Sequence, residues 1–208
     1  MPSGLRERRK HETRLAISDI ATAMFAERGF DAVTISQVAD AAGVSKMTVT
    51  NYFARKEDLV FDRAGEIVGG LAAVVTARSP GESLLDAVRR DYAEALARGD
   101  VTLGLSSQQF AAMVAASPVL LARMREILEL REQALAAAIA TETGTDSVLD
   151  RCVAAQLASV HRVLATEASR RSLAGQSREE IKAALAAEAG LAFGLLEPAI
   201  GGYLTRAR

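Results

Sequence analysis

The chain has 208 residues, of which half are hydrophobic, and it carries 25 Lys and Arg against 26 Asp and Glu, with one cysteine and no tryptophan. This near balance of charge argues against a protein that binds polyanions over its whole surface, and a single cysteine cannot form an intrachain disulfide. No apolar run is long enough to span a bilayer and no secretory signal pattern is present, so we expect a cytoplasmic protein.

The first strong pattern is an amphipathic helix predicted from Arg14 to Arg28. Apolar residues recur along it at spacings of three and four, on one face of a helix: Ile17, Ile20, Ala21, Met24 and Phe25. Residues 1–56 hold nine Lys and Arg against six Asp and Glu, while the rest of the chain is net acidic. This asymmetry predicts a small basic head, residues 1–56, on a neutral or acidic body, residues 57–208.

A helix-turn-helix is predicted within residues 34–53, TISQVADAAGVSKMTVTNYF. Thr34 and Gln37 form a capping box that starts its first helix. Gly43 provides the turn, because glycine adopts positive φ without strain. Ser45 caps a second helix that extends to the end of the segment. Such a short helix with exposed polar side chains has the shape that enters a DNA major groove, although any capped pair of helices joined by a glycine would share the caps.

The outward side chains of this second helix are those that we predict to contact DNA: Lys46, Met47, Thr48, Thr50 and Asn51. Lys46, Thr48 and Asn51 are expected to face base edges, with Met47 placed for a thymine methyl group. Phosphate contacts are expected around both helix starts and in the basic segments on either side: Lys10, Arg14, Thr34, Ser36, Tyr52 and Lys56.

The run from Ile17 to Leu59 resembles the N-terminal domain of TetR-family transcriptional regulators. An apolar helix, F-x-x-x-G-F, T-x-x-x-[IV]-A, A-G-V-S, T-[VL] and Y-F-x-x-K occur in order at the spacing of that family. The resemblance implies a homodimer that binds palindromic operator DNA, usually as a repressor. Many members carry Tyr where this chain has Thr50, so the phosphate contact of that Tyr would pass to Tyr52 or to Thr50 itself.

The rest of the chain shows no alternating β pattern, so the expected fold is all-α: a three-helix head with the helix-turn-helix, and a larger helical C-terminal domain. Helices are predicted over residues 56–78, 82–98, 105–116, 118–141, 147–173 and 177–203. The first of these is expected to be interrupted or strained at Gly69 and Gly70. Because it joins head and body, it is the expected lever between them.

The last two predicted helices each carry two apolar faces, and two buried faces need two partners. A two-fold interface of four helices supplies the second partner. The predicted dimer seam consists of Leu157, Val160, Leu164, Leu185, Ala192 and Leu196. Packing of these side chains within their own domain is the alternative explanation.

A few aromatic, polar and sulfur-containing side chains lie on apolar faces of the body, in segments that line the ligand cavity of the resembled family: Phe61, Tyr92, Gln109, Phe110, Met113, Met124, Leu128 and His161. We therefore expect a mostly hydrophobic small molecule with one or two polar groups, which Gln109 would help to orient. The alternative is a collapsed core that these same side chains fill.

No metal-binding, nucleophile or phosphate-loop motif occurs, so we expect neither an enzyme nor a metal or other cofactor. The sequence predicts a ligand-responsive transcriptional regulator, a repressor that a small hydrophobic effector releases from its operator. Two alternatives are a DNA-binding protein without an effector and a helical ligand-binding module whose head is vestigial.

Overall fold

The computed structural model describes the backbone of residues 3–206 and the side chains of residues 8–206. All regular elements in this part of the chain are helical, which confirms the all-α fold. The α-helices are α1 (Ser3–Arg28), α2 (Ile35–Ala41), α3 (Lys46–Tyr52), α4 (Ala64–Ala77), α5 (Leu84–Arg98), α6 (Gln108–Ala116), α7 (Pro118–Thr143), α8 (Val148–Leu173), α9 (Arg178–Gly194) and α10 (Glu197–Ile200). Two short 3-10 helices span Lys56–Leu59 and Val101–Leu103. Within the described residues, no helix combines the length and the apolar character needed to cross a membrane.

The chain forms two compact units. The first contains the described residues up to Ala64 together with Ala112–Arg123, and the second contains Gly65–Ala111 together with the described residues from Met124 onward. Helices α6 and α7 therefore supply residues to both units. α7 in particular is continuous across this division, since it runs from Pro118 to Thr143.

The predicted caps of the helix-turn-helix are all present. Thr34 Oγ1 accepts a hydrogen bond from the Gln37 N–H at 3.2 Å, and Gln37 Oε1 accepts one from the Thr34 N–H at 2.8 Å. Ser45 Oγ accepts from the Thr48 N–H at 3.0 Å, and Gly43 has φ +65°. Local hydrogen bonds thus fix where α2 and α3 begin, independently of the rest of the chain.

The continuous helix predicted over residues 56–78 is wrong. Lys56–Leu59 forms a 3-10 helix, and α4 begins only at Ala64. Leu59, Val60 and Phe61 are all buried, and three consecutive residues cannot lie on one face of a helix, so the chain turns here. α4 then continues without a break through its two adjacent glycines.

In the second unit, α9 packs against both α8 and α5 around a core of aliphatic and aromatic side chains. The single helix predicted over residues 177–203 is wrong, because α9 ends at Gly194 and α10 starts at Glu197. Pro198 explains the break. It has no N–H to donate, and its ring clashes with the carbonyl four residues earlier, which is that of Gly194.

A buried arginine joins three parts of the second unit. Arg78 lies just after α4, where its Nε donates to the Val75 carbonyl at 2.9 Å and its Nη1 donates to the Leu204 carbonyl. Its Nη2 forms an ion pair with Glu142 of α7. Arg206 Nη1 donates in turn to the Arg78 carbonyl at 2.6 Å. The C-terminal segment is therefore held against the ends of α4 and α7.

Candidate functional site

The outward surface of α3 is exposed and polar apart from one apolar side chain. Lys46, Thr50 and Asn51 are exposed, and Met47 is 73% exposed. On the opposite side, Val49 is buried in the head core. Thr48 is only half-buried, with its Oγ1 2.8 Å from Ser45 Oγ. Helix α3 thus presents a short row of side chains that no other described residue of its unit covers.

Arg14 holds the C-terminal end of α3. Its Nη1 donates to the Tyr52 carbonyl at 2.8 Å and its Nη2 to the Asp62 carbonyl at 2.9 Å, while its guanidinium carbon lies 4.5 Å from the centre of the Phe53 ring. A cation at a helix C-terminus satisfies carbonyls that have no partner within the helix and complements the helix dipole. The side chain that the sequence assigned to DNA therefore also sets the position of α3.

Lys56 is likewise engaged within the head. Its Nζ donates to the Phe30 carbonyl at 2.6 Å and lies 4.2 Å from the centre of the Phe30 ring and 5.5 Å from that of Phe25. Partial burial lowers the pKa of this ammonium, and the charges of Asp31 and Glu57 oppose the shift. Lys56 packs between α1 and the turn that follows it, so its replacement would change the head itself.

The remaining residues predicted to contact phosphates differ in their exposure and in their hydrogen bonds within the head. Lys10, Thr34 and Ser36 are exposed, whereas Tyr52 is half-buried. Thr50 Oγ1 donates back to its own helix, to the Met47 carbonyl at 3.1 Å. The hydroxyl proton of Thr50 is therefore occupied, although its oxygen still has a free lone pair.

The second unit contains a cavity of about 290 Å³. Its walls come from α4, α5, the 3-10 turn after α5, α7 and α8; among the lining residues are Ile67, Gly70, Leu71, Asp91, Arg131 and His161. α4 contributes apolar residues and the carboxylate of Glu66, and two buried nitrogen-bearing side chains, those of Arg131 and His161, line the cavity from α7 and α8.

Arg131 is the least satisfied of these side chains. It is 5% exposed, and its one hydrogen bond is a weak one from Nη2 to the Ala158 carbonyl at 3.3 Å. Its Nε is buried without a partner, and no carboxylate among the described residues forms an ion pair with it. Burial lowers the pKa of this guanidinium to about 10, and the positive charge of Arg162 contributes.

His161 lies beside Arg131 and is also buried, with its Nε2 unpartnered. Burial, with a smaller effect from the Arg131 charge, lowers the pKa of its imidazole to about 3. The ring packs edge-on against two aromatic rings, with centroid distances of 5.3 Å to Tyr92 and 5.7 Å to Phe193. His161 is therefore a neutral imidazole held rigidly at the cavity wall.

The structure places the predicted ligand contacts in different locations. His161 lines the cavity described above, and Tyr92 lines a second cavity of about 500 Å³ between α5 and α9. Gln109, Phe110, Met124 and Leu128 belong to the second unit but line neither of these cavities, while Phe61 and Met113 belong to the first unit. The larger cavity is lined mainly by alanine, glycine and surface charges.

Arg131 was missed by the sequence analysis, although a signal was present. It lies four residues after Ile127 and four before Leu135, both fully buried. An arginine at that spacing falls on the apolar face of the helix. Because α7 is rich in Arg and Glu, the residue looked like one of many solvated charges.

One wall of the cavity is built by close backbone contact. Gly104, at φ +86°, follows the 3-10 turn whose residues Thr102 and Leu103 line the cavity. A Cβ at this position would lie 2.6 Å from the carbonyl oxygen of Ala165 in α8, which no side chain could tolerate. Glycine is therefore required here both for its backbone angle and for the approach of α8.

The predicted dimer seam divides into buried and half-buried side chains. Leu157, Leu164 and Leu185 are buried in the core of their own subunit, while Val160, Ala192 and Leu196 are half-buried. The exposed large apolar side chains of α8, of α9 and of the residue directly after α9 are instead Val148, Leu149, Val163, Leu173, Leu191 and Leu195. Leu191 in α9 and Leu195 directly after it are 75% and 80% exposed, so this end of α9 has a second apolar face that the described residues leave uncovered.

Two capped helices crossing at a glycine turn, with the outer face of the second one free, define a helix-turn-helix DNA-binding protein with a larger helical body. Residues 17–62 match the family model for bacterial regulatory proteins of the tetR family. The chain is 30% identical over 173 residues to the HTH-type transcriptional regulator TcmR of Streptomyces glaucescens, which covers 79% of this chain and 76% of that protein. The chain therefore belongs to the TetR family of transcriptional regulators.

Solved structures share the fold along most of their length. The transcriptional regulator FadR from Bacillus subtilis, in complex with stearoyl-CoA, aligns with a TM-score of 0.51 at 21% identity, over 90% of this chain and 98% of that one. NalD, the secondary repressor of the MexAB-OprM multidrug efflux pump in Pseudomonas aeruginosa, aligns with a TM-score of 0.53 at 14% identity, over 89% and 97%. Within the described residues, no cluster of three or more metal-ligating side chains occurs.

Proposed function

We propose that this regulator is a repressor that binds a palindromic operator as a homodimer in the cytoplasm and that a small molecule, bound in the second unit, releases it. The protein is a regulator of transcription rather than an enzyme in this proposal. The observation that carries the DNA-binding part is the free outer face of α3, whose caps and C-terminal carbonyls are already satisfied within the head.

Base contacts are assigned to Lys46, Thr48 and Asn51, with Met47 against a thymine methyl group. Phosphate contacts are assigned to Lys10, Thr34, Ser36, Thr50 and Tyr52. Arg14 and Lys56 keep N–H groups beyond those bonded to carbonyls, so they can bind phosphate while they position α3.

The division between base and phosphate contacts can be tested with an operator obtained by selection from random duplexes. Asn51→Ala is expected to cost about 1–3 kcal/mol at particular base pairs, because an amide pairs with one base edge. Lys10→Ala is expected to weaken binding to all duplexes alike and to reduce the salt slope by about one, because it removes one phosphate contact. Fluorescence anisotropy across a set of operator variants measures both effects, and identical sequence profiles for the two variants would contradict the assignment.

The dimer is proposed to form through the open apolar faces of α8 and α9, with Val160, Ala192 and Leu196 at its edge and Leu191 and Leu195 in contact with the partner. TetR-family regulators act as dimers, and the two-fold symmetry of a palindromic operator requires one. The buried residues Leu157, Leu164 and Leu185 support this face from within the subunit.

Sedimentation velocity tests the seam without disturbing the subunit core. The double variant Leu191→Asp, Leu195→Asp should sediment as a folded monomer, because both side chains are exposed in the single chain. Val119→Asp is the matched control, since Val119 is 47% exposed and lies on α7, outside α8 and α9. A wild-type protein that is monomeric at micromolar concentration would overturn the proposal.

Release by a small molecule is supported by the cavity beside His161 and by the fold shared with a regulator solved in complex with stearoyl-CoA. A ligand shifts the protein off DNA only through different affinities for the two states. α7 is the element that we assign to this coupling. Arg123 of α7 forms an ion pair with Asp58 in the first unit, at 2.8 Å, and Arg131 follows two turns later in the second.

A DNA-binding protein without an effector remains the second candidate, and ligand screening against the operator complex separates the two. A compound that binds the protein and lowers its operator affinity supports release. Arg123→Gln should then keep ligand binding but reduce the effect of the ligand on DNA. A compound that occupies the cavity and leaves operator affinity unchanged would favour the constitutive protein.

A further inference from the structure

The cavity in the second unit lacks a partner for its buried polar atoms. Arg131 and His161 are each 5% exposed, yet Arg131 Nε and His161 Nε2 have no hydrogen-bond partner. Buried nitrogen atoms of this kind are usually satisfied, and a buried guanidinium is usually paired with a carboxylate. The arrangement is therefore incomplete within the described chain.

The acidic residues that line the cavity do not pair with Arg131. Glu66, Asp91 and Asp100 also line the cavity, but none of them forms an ion pair with Arg131. Asp91 is influenced mainly by its burial, which raises the pKa of its carboxyl, and by the charge of Arg98. The carboxylates of the cavity therefore leave the Arg131 guanidinium without a partner at ion-pair distance, and its Nε without a hydrogen bond.

We propose that the cavity binds an effector with one ionised carboxylate, which accepts hydrogen bonds from the Arg131 guanidinium and the His161 ring. The planar guanidinium matches a carboxylate in a two-point contact, and a neutral imidazole provides one further N–H donor. The rest of the ligand lies against the apolar wall formed by Ile67, Gly70 and Leu71. This inference rests on the proposed function only in taking the bound molecule to be the effector.

The other charges of the cavity are three carboxylates and the guanidinium of Arg98, and this acidic excess disfavours a ligand with more than one negative group. A second anionic group would meet Glu66, Asp91 or Asp100 on the remaining walls, and like charges at short range repel. The volume of about 290 Å³ lies at the small end of the range for ligand pockets. A small monocarboxylate with an apolar body fits both the charges and the volume of the cavity. This ligand class is more specific than the mostly hydrophobic molecule expected from the sequence.

Pairs of acids and their primary amides test this chemistry on the whole protein. Isothermal titration calorimetry with benzoate and benzamide, and with octanoate and octanamide, compares a charged with an uncharged head group on the same body. Wild-type protein is expected to prefer each carboxylate by roughly tenfold or more, the value of a charge-assisted hydrogen bond. Arg131→Gln should abolish the preference while leaving amide binding within about twofold, because it removes the charge and keeps a polar side chain.

Two further variants control for position and for folding. Arg125→Gln, an exposed position on the same helix, should retain the preference. Gly70→Leu should weaken both members of each pair, because it adds an apolar side chain to the cavity wall and keeps the Arg131 guanidinium. Thermal unfolding by circular dichroism establishes that each variant is folded.

Each outcome decides the proposal. A carboxylate preference that Arg131→Gln removes supports it. Equal binding of amides, a preference that survives in Arg131→Gln, or no binding of either carboxylate at millimolar concentration overturns it. Operator release is measured separately by anisotropy, so carboxylate binding without release would leave this inference standing and overturn only the effector part of the proposed function.

Discussion

The second unit buries two arginines in opposite ways. Arg78 is 2% exposed and is bonded to two carbonyls and to Glu142, whereas Arg131 is 5% exposed and makes a single long hydrogen bond. Both guanidiniums have lost most of their hydration, but only that of Arg78 has regained equivalent partners within the chain. A paired buried charge fixes a structure, while an unpaired one lowers stability and is retained where a ligand can pair it.

Removing Arg78 should have the largest effect on stability. Arg78→Met leaves the Leu204 carbonyl and Glu142 without their partner, so unfolding should be easier by about 3–5 kcal/mol. Urea denaturation followed by circular dichroism measures this loss. Arg90→Met is the matched control, because Arg90 also pairs with carboxylates, Glu82 and Glu94, but is exposed, and exposed pairs contribute little to stability. Similar losses in both variants would remove the basis for treating Arg78 as a buried clamp.

The pH dependence of stability tests whether His161, at the wall of the cavity, is buried as a neutral imidazole. His161 has its pKa lowered to about 3 by burial, so the unfolded chain takes up a proton near pH 6.5 while the folded protein does not. Stability is therefore greatest above that pH and falls as the pH drops towards 3, by up to about 1.4 kcal/mol per pH unit from this residue. His161→Phe keeps an aromatic ring and should lose about 2–3 kcal/mol less than wild type between pH 6.5 and 4.5.

Urea denaturation at several pH values provides the measurement for that prediction. His11→Gln, an exposed position, is the control for removal of a histidine as such. Parallel pH profiles of wild type and His161→Phe would show that His161 is protonated in the folded protein, which conflicts with its burial in an apolar and positively charged environment.

Removal of Arg131 should have the opposite sign to removal of Arg78. Arg131→Met replaces an unpaired buried charge with an apolar side chain of similar length, so the ligand-free protein should gain about 1–2 kcal/mol in its free energy of unfolding. Thermal and urea unfolding measure the gain, and Arg125→Met, exposed on the same helix, should change stability by less than about 0.5 kcal/mol. If Arg131→Met lowered the free energy of unfolding as much as Arg78→Met, Arg131 would be stabilised by partners in the protein in the same way as Arg78.

The smallest expected effect lies in the glycine pair of α4, close to the cavity. Gly69 and Gly70 are helical, and a Cβ at either position would meet nothing within 4 Å. Each should therefore gain about 0.5–1 kcal/mol on replacement by Ala, from helix propensity alone. Chemical denaturation of Gly69→Ala and Gly70→Ala checks this. Equal stability of the variants and wild type would show that the two glycines do not destabilise α4. The residues around the cavity would then lower the stability of the protein less than the contrast between Arg78 and Arg131 implies.

How far the sequence predicted the structure depended on how local the determining contacts are. The caps at Thr34 and Ser45 and the turn at Gly43 involve residues within a few positions of each other, and all were predicted correctly. The break at Pro198 was equally local and was overlooked. The turn after the 3-10 helix was not predictable in this way, because it depends on the burial of three consecutive residues by distant elements.

The candidate sites show the same difference between features set by nearby residues and features set by distant elements. The exposed face of α3 follows from helical spacing and matches the sequence prediction except at Thr48, which is half-buried. The cavity depends on which faces of α4, α7 and α8 meet, and of the predicted ligand contacts only His161 lines it. Leu157, Leu164 and Leu185 lie on a stripe that the sequence shows correctly, but the stripe alone does not say whether it faces the subunit's own core or a partner.

The contact of Gly104 with α8 makes one wall of the cavity more tightly packed than the other. Since a Cβ there would lie 2.6 Å from the Ala165 carbonyl oxygen, the 3-10 turn and α8 are in backbone contact and must move as one body. Thr102 and Leu103 on the turn and His161 on α8 thus form a stiff half of the cavity. The compliant half is α4, where two glycines leave open space beside the helix. An entering molecule therefore meets close backbone contact on the α8 side of the cavity and unfilled space on the α4 side.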